Sequence, residues 1–327
     1  MDEVILKDES AVRRILVTGA AGFTGRHAVR YFHGLGAEVT AAVREPSADG
    51  GIFPAGVREY ACDLSDRAAV QRMVEEVRPQ EVLHLAGRNS VPESWKDPLH
   101  YMEANVMATL YLLEALRGAP ARRILVAGSR LKYRPGVDAG PPHPYSLSKT
   151  LEALVSLAWG MLFKQPVLLA EPCNLIGPGP STGFCSLLAQ HIVRSEDAAA
   201  SGGALPIFSL SSRYARRDFL DVRDAVRAYD CILCAGEPGR VYRIDSGTMR
   251  ELGGIAEKML ALAQTEVQMD WGGDAGASAR SETPQAAESS PEEESAESLG
   301  WRPGMTLDQS LADIMEYYRA GRKGRSS

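Results

Sequence analysis

The chain has 327 residues with a formal net charge of -6, 45% hydrophobic and 24% charged residues, and five cysteines. Such a length holds one large domain plus a smaller one around an ample core, and the acidic balance argues against a nucleic-acid partner. No apolar run reaches the roughly 18 residues of a membrane span, and the start Met1-Asp2-Glu3 is unlike a signal peptide; a cytoplasmic location is expected.

Taken in chain order, Arg14-Ile15-Leu16-Val17-Thr18 reads as a short buried strand, followed by Gly19-Ala20-Ala21-Gly22-Phe23-Thr24-Gly25 and a helical pattern over 23–34. Strand, glycine turn and helix is the context a phosphate-binding turn requires: glycines allow the bend and close approach, and the helix N-terminus faces a pyrophosphate. The spacing is GxxGxxG, and a glycine triplet alone could serve any strand-to-helix turn. Further strands are expected near 38–43, 57–61, 81–85, 122–128 and 166–170, with helices near 65–77, 98–117 and 145–163. This alternation argues for an α/β fold, a doubly wound parallel sheet with helices on both faces.

The second half carries a loop over 178–183, a helix over 221–234, a strand over 241–244, and helices over 250–263 and 307–318. Gly272 to Ser298, rich in Gly, Ala, Ser and Glu, reads as a mobile loop over the site or as local disorder. The basic end 321–327 reads as a frayed tail. Cys231 and Cys234 form a CxxC inside an apolar helical pattern, which fits core packing better than a metal site. No metal is expected.

Tyr145-Ser146-Leu147-Ser148-Lys149 follows the turn-forming run Gly140-Pro141-Pro142-His143-Pro144, so Tyr145 opens a helix. Residues four apart share a face. Lys149 can therefore sit beside Tyr145 and lower its pKa from about 10, readying the phenol to exchange a proton with a sugar or alcohol oxygen. A Tyr–Lys pair taken alone is more often a solvated helix face.

Together with the glycine turn about 120 residues earlier, this motif resembles the extended short-chain dehydrogenase/reductase family, also called the NAD-dependent epimerase/dehydratase family. Leu83-His84-Leu85-Ala86-Gly87, Asn105-Val106-Met107-Ala108-Thr109, and Arg123 through Ser129 fall in the family's order. So do Arg216 through Asp224 and Leu299-Gly300-Trp301-Arg302-Pro303. The resemblance implies a Rossmann-type domain over 1–172, with 215–248 returning to it, and a smaller C-terminal α/β substrate domain from 173–214 and 249–327. It implies Ser129, Tyr145 and Lys149 as the catalytic set. Gly19, Gly22, Phe23, Thr24, Gly25, Arg44, Asp63, Leu64, Leu85, Ala86 and Gly87 would contact the cofactor with Tyr145 and Lys149. A homodimer through the helices near 98–117 and 145–163 is also implied, with burial of those apolar faces inside the monomer as the alternative.

Members that prefer NAD carry an acid at the end of the second strand; here Val43 stands there with Arg44 next, which favours NADP(H), with NAD(H) still possible. Asp63 resembles the family's acid near the adenine, with capping of helix 65–77 an equal alternative. Dehydratases need an extra acid and base after the catalytic Ser or Thr. Arg130 and Leu131 occupy those positions, which argues against dehydration. The run Asn174 through Phe184 is similar to a stretch of the GDP-4-keto-6-deoxy-D-mannose reductases, as are Val91 through Trp95 and Arg280 through Pro284. The implied substrate is a nucleotide sugar, GDP-4-keto-6-deoxy-D-mannose reduced to GDP-D-rhamnose, with Asn105, Ser129, Asn174, Arg217 and Arg280 as its contacts, Asn105 also as a brace. Departures cluster near the sugar: Glu171 replaces an Arg, Lys132 and Arg134 flank Tyr133, Leu131 replaces a Glu, and Ala108 replaces a Gly. A nucleotide-sugar 4-epimerase with tightly bound NAD, or a non-catalytic nucleotide-binding relative, are the alternatives.

Overall fold

The structure, a computed structural model, describes residues 12–46, 51–203, 206–210, 212–271 and 293–323. Its first half follows the alternation read in the sequence: β1 (Arg14–Thr18), α1 (Phe23–Gly34), β2 (Glu38–Val43), β3 (Arg58–Ala61), α2 (Arg67–Val77) and β4 (Glu81–His84). Two short helices, α3 (Val91–Lys96) and α4 (Pro98–Tyr101), lead through a π-helical stretch (Met102–Met107) into α5 (Ala108–Gly118). Then come β5 (Arg123–Ala127), α6 (Pro144–Phe163) and β6 (Val167–Pro172). The expected single helix over 98–117 is thus interrupted, and a π turn of that kind is often found at a functional site.

The second half holds β7 (Asn174–Ile176), α7 (Phe184–Ser201), β8 (Ile207–Ser209), β9 (Arg216–Asp221), α8 (Val222–Ala235), β10 (Val241–Ile244), β11 (Met249–Glu251), α9 (Leu252–Leu260) and β12 (Gln268–Asp270). It closes with β13 (Glu293–Ser295), a 3-10 turn (Ala296–Leu299) and α10 (Leu307–Lys323). Helix α7, with 18 residues, has no counterpart among the expected elements. The expected helix over 250–263 is shortened to α9, because Met249–Glu251 pair antiparallel with β9 instead. Within the stretch expected to be mobile or disordered, 293–298 forms β13 and most of the 3-10 turn, while 272–292 lies outside the described residues, as does 324–327 of the expected frayed tail.

Eight strands form one sheet in the order β13-β10-β6-β5-β4-β1-β2-β3, and every pairing in it is parallel. Read from β3, the first six run 3-2-1-4-5-6, the Rossmann arrangement whose order reverses between β1 and β4. A parallel sheet must be covered on both faces, and two clusters do so. Ile15, Val17, Phe32 and Leu83 pack with α8 on one face; Leu16, Val82, Leu112 and Leu116 pack with α2 and α5 on the other. Each such fully buried side chain contributes roughly 1.5–3 kcal/mol.

A third cluster, including Ile176, Leu188, Ile192, Phe219, Ile255 and Ile314, packs α7, α9 and α10 on a three-stranded sheet β11-β9-β7. The two late sequence signatures meet here. Asp224 accepts from the Gly304 and Met305 amides at 3.0 and 2.8 Å, and Trp301 Nε1 donates to Asp224 O at 3.0 Å. Asp221 caps α8 through Arg223 N and accepts from Ser310 Oγ at 2.6 Å. These bonds anchor the late chain beside the main sheet. Among the described residues, no helix is long and apolar enough to cross a membrane, and no cluster of His, Cys, Asp and Glu could hold a metal ion.

Candidate active site

In a doubly wound sheet the ligand crevice lies at the carboxyl ends of the strands where their order reverses. Three segments singled out in the sequence converge there: the glycine turn after β1, the Leu85-Ala86-Gly87 turn after β4, and the Gly128-Ser129 turn after β5.

Helix α1 starts at the cap Gly22, with no side chain bonded to its first amides, so those donors face outward. Gly19 has φ +65°, and a Cβ there would lie 2.7 Å from Ala86 N. A Cβ on Gly25 would overlap the carbonyl of Gly19. The turn therefore tolerates side chains at neither position, and the free amides above it suit a pyrophosphate. A dinucleotide fits this cradle. Phe23 and Thr24 are half-buried beside it, and Phe23 lies against Gly179.

At the end of β2, Val43 is buried and Arg44 exposed. Asp63 is exposed and closes a turn on Ser65, accepting from its amide at 3.0 Å and its hydroxyl at 2.8 Å. Those two bonds, ahead of the Arg44 charge, lower its pKa. The cap of α2 is Asp66, whose carboxylate accepts from Ala68 N and Ala69 N, so the capping alternative for Asp63 falls. Leu64 is half-buried against the α2–α5 face, and Leu85 and Ala86 are half-buried.

Tyr145, Lys149 and Ser129 come together, 5%, 7% and 8% exposed. Pro144 occupies the first turn of α6, His143 caps it through Ser146 N, and the His143 ring stacks on Tyr145 at 5.9 Å. Tyr101 meets Tyr145 edge-on at 6.3 Å. The sequence suggested a phenol with a depressed pKa. In the structure burial outweighs both the Lys149 charge and a hydrogen bond with Ser129, and the phenol is held above its ordinary value. Desolvation of the charged form is the larger effect in so dry a site. Lys149 Nζ donates to Ala127 O at 2.8 Å and pairs with Glu152. Burial opposes its charge, but Glu152 and Tyr145 overcome that, and its pKa is raised.

Asn105 is fully buried. Its Oδ1 accepts from Arg88 N at 2.7 Å, and its Nδ2 donates to Arg88 O at 3.1 Å and Ser148 Oγ at 2.8 Å. With its amide so engaged it braces the Gly87 turn against α6, the bracing role expected of it beside a substrate contact. Asn174 Nδ2 donates to Asp218 O at 2.8 Å, and Arg217 is half-buried on β9. Arg280 lies outside the described residues.

Two of the residues that depart from the family pattern, Glu171 and Lys132, compensate each other. Glu171 is fully buried; Lys132 Nζ reaches its Oε1 at 2.6 Å and Glu293 Oε1 at 3.1 Å, while Arg130 Nη1 meets Glu293 Oε2 at 3.2 Å. Burial raises the Glu171 pKa and Lys132 pulls it back. Glu171 also packs against Gly128, the residue before Ser129. Nothing in the sequence pointed to Glu293 in this cluster, since 122 residues separate it from Glu171. Glu152 was also missed, although its spacing of three from Lys149 on one helix was a usable signal.

Residues 15–245 match the model of the NAD dependent epimerase/dehydratase family. The chain belongs to that family. It is an NAD(P)-dependent enzyme of the extended short-chain dehydrogenase/reductase type. It is 30% identical over 314 residues to the GDP-6-deoxy-D-mannose reductase of Pseudomonas aeruginosa, covering 93% of this chain and 96% of that one. The dTDP-glucose 4,6-dehydratase of Xanthomonas campestris pv. campestris is 27% identical, covering 93% and 92%. The solved structure of RMD from Pseudomonas aeruginosa complexed with NADPH superposes with a TM-score of 0.71 at 27% identity, covering 94% and 99%.

Proposed function

We propose that the protein is an NADPH-dependent reductase of a nucleotide-linked 4-keto-6-deoxy sugar, GDP-4-keto-6-deoxy-D-mannose, forming GDP-D-rhamnose. The observation that carries this reading is the pairing of an intact, buried Ser129–Tyr145–Lys149 set with a Ser129 loop whose neighbouring carboxylates, Glu171 and Glu293, are held by Lys132 and Arg130. A reductase needs one proton donor. A dehydratase needs a further acid and base, and here the carboxylates in reach are engaged as ion pairs. The identity to the Pseudomonas aeruginosa reductase over nearly the whole chain supports the same choice.

When bound, a nicotinamide dinucleotide supplies the hydride. Tyr145 hands its proton to the sugar oxygen, and its high pKa keeps it protonated and ready at neutral pH. Ser129 orients that oxygen by a hydrogen bond, and the Lys149 ammonium stabilises the tyrosinate as it forms. Asn174, Arg217 and Arg280 hold the sugar and its diphosphate by charge-assisted bonds. Arg44, with Val43 in place of an acid, favours the 2′-phosphate of NADP(H) over NAD(H). The C-terminal substrate unit of residues 173–214 and 249–327 carries the nucleotide sugar. Leu154, Met161 and Leu162 are exposed on α6, which supports a homodimer through α5 and α6, although Leu112 and Leu113 of α5 are spent inside the monomer.

The test is NADPH oxidation with GDP-4-keto-6-deoxy-D-mannose, with NADH and the dTDP-linked keto sugar run alongside. Rapid oxidation with NADPH and the GDP sugar is expected. Silence with both sugars, or NAD that stays bound through desalting, overturns the reading, the second outcome in favour of an epimerase.

A further inference from the structure

Glu152 is fully buried on α6, three residues after Lys149, and its carboxylate meets the Lys149 ammonium. It also ends a chain of buried polar groups drawn from three other elements. Ala86 N donates to Thr18 Oγ1 at 3.3 Å, Thr18 Oγ1 meets His84 Nδ1 at 2.7 Å, and His84 Nε2 meets Thr109 Oγ1 at 2.9 Å. Thr109 Oγ1 donates to Asn105 O at 2.7 Å and, more weakly, to Glu152 Oε1 at 3.4 Å. His84 is neutral, its pKa depressed to about 3 by burial and then by Lys149. With the ring hydrogen on Nε2, each link donates in one direction, from the Ala86 amide at the crevice to the Glu152 carboxylate.

We propose that Glu152 is a positioning residue for the catalytic pair, a buried counter-ion that fixes the Lys149 ammonium against Ala127 O and tempers its field on the Tyr145 phenol. The proposal rests on the assignment of Tyr145 and Lys149 above. Desolvation alone drives a buried ammonium toward its neutral form, so the charge of Lys149 depends on this carboxylate. The groups facing the pair are Tyr145 on α6, Tyr101 on α4, Ser129 after β5, His84 on β4, Thr109 on α5 and Glu171 on β6. Of these, His84 is neutral and Glu171 is already paired with Lys132. The negative charge of Glu152 raises the pKa of both the phenol and the ammonium. Reduction requires both groups protonated.

Removing the carboxylate lowers both values. In Glu152→Gln the alkaline limb of the kcat–pH profile for reduction therefore moves to lower pH, by about one to three pH units. The same displacement is read without turnover from the tyrosinate absorbance of Tyr145, taken as the difference between a protein and its Tyr145→Phe partner. A merely structural role lowers kcat at every pH and leaves the limb in place. Glu152→Asp, which keeps the charge, returns the limb most of the way. An unmoved limb and an unmoved tyrosinate titration in folded Glu152→Gln overturn the proposal. Should that variant not fold, Thr109→Val, which removes the weaker of the two donors that favour the charged Glu152, Lys149 being the stronger, gives a smaller shift in the same direction, and no shift there is equally fatal. If Tyr145→Phe keeps full turnover, the catalytic assignment falls on its own, and the absorbance titration still decides the role of Glu152.

Discussion

Two groups of buried charge flank Ser129, and they are built in opposite ways. Lys149 and Glu152 lie on one helix, three residues apart, so that forming α6 already sets them face to face. Lys132, Glu171, Arg130 and Glu293 come from the loop after β5, from β6 and from β13, and meet only when the sheet is complete. Their precision has different sources. The helical pair is fixed by backbone geometry, whereas the cross-element cluster neutralises charge and holds the late strand β13 beside the Ser129 loop.

Replacing Tyr145 by Phe separates chemistry from structure most sharply. We expect kcat to fall by about 10²- to 10⁴-fold, with melting temperature and dinucleotide binding nearly unchanged in calorimetry. Full turnover in that variant would leave the helical pair no more than a packing feature.

The cross-element cluster should show the reverse pattern, a stability loss with the chemistry intact. Lys132→Met strands Glu171, a carboxylate 1% exposed at its side chain, and is expected to cost about 3 kcal/mol in urea unfolding. The double variant Lys132→Met/Glu171→Met should recover most of that loss. A double variant as unstable as the single would show that Lys132 acts through something other than Glu171.

His84 ties the first group to pH. Its folded value is depressed to about 3 against an unfolded value near 6.5, so the unfolded chain binds the proton more readily. Stability is complete above pH 6.5 and is lost as pH falls from there toward 3. By pH 5 that loss is about 2 kcal/mol. Denaturant curves between pH 7 and 5 should show it, and His84→Gln should flatten it. Equal slopes in the two proteins would mean that other groups carry the acid sensitivity.

The smallest effect belongs to Arg130. Its pair with Glu293 is largely buried, but Lys132 still reaches the same carboxylate at 3.1 Å. Arg130→Ala should cost about 1.5 kcal/mol, read from the urea midpoint, and a loss as large as that of Lys132→Met would show that the cluster has no redundancy.

Much of the site was legible before the structure. The glycine turn and the Tyr145–Lys149 spacing stand at fixed offsets from a strand end and a helix start, which local backbone geometry carries faithfully, while Ser129 was pointed to by the family resemblance. Asn105 was read both as a brace and as a substrate contact, and its amide bonds fit the brace. Nothing in its neighbours says that its amide will be spent on Arg88 and Ser148, which approach from the β4 turn and from α6. Helix α7 escaped notice because its apolar face follows the loop at 177–183, and its partners α9 and α10 lie far along the chain.

The alternating strands and helices and the doubly wound parallel sheet were thus written in the chain, because they follow from periodicity, glycine and proline placement, and spacing within single elements; the candidate set Ser129, Tyr145 and Lys149 came from the family resemblance. The ionisation of the site, by contrast, depends on how the elements pack. Whether Lys149 lowers the Tyr145 pKa or burial raises it depends on how dry the pocket is. Whether Glu171 is a free base or a paired charge depends on Lys132 and Glu293 arriving beside it. Desolvation and Coulomb interactions act through space, and no spacing along the chain encodes them.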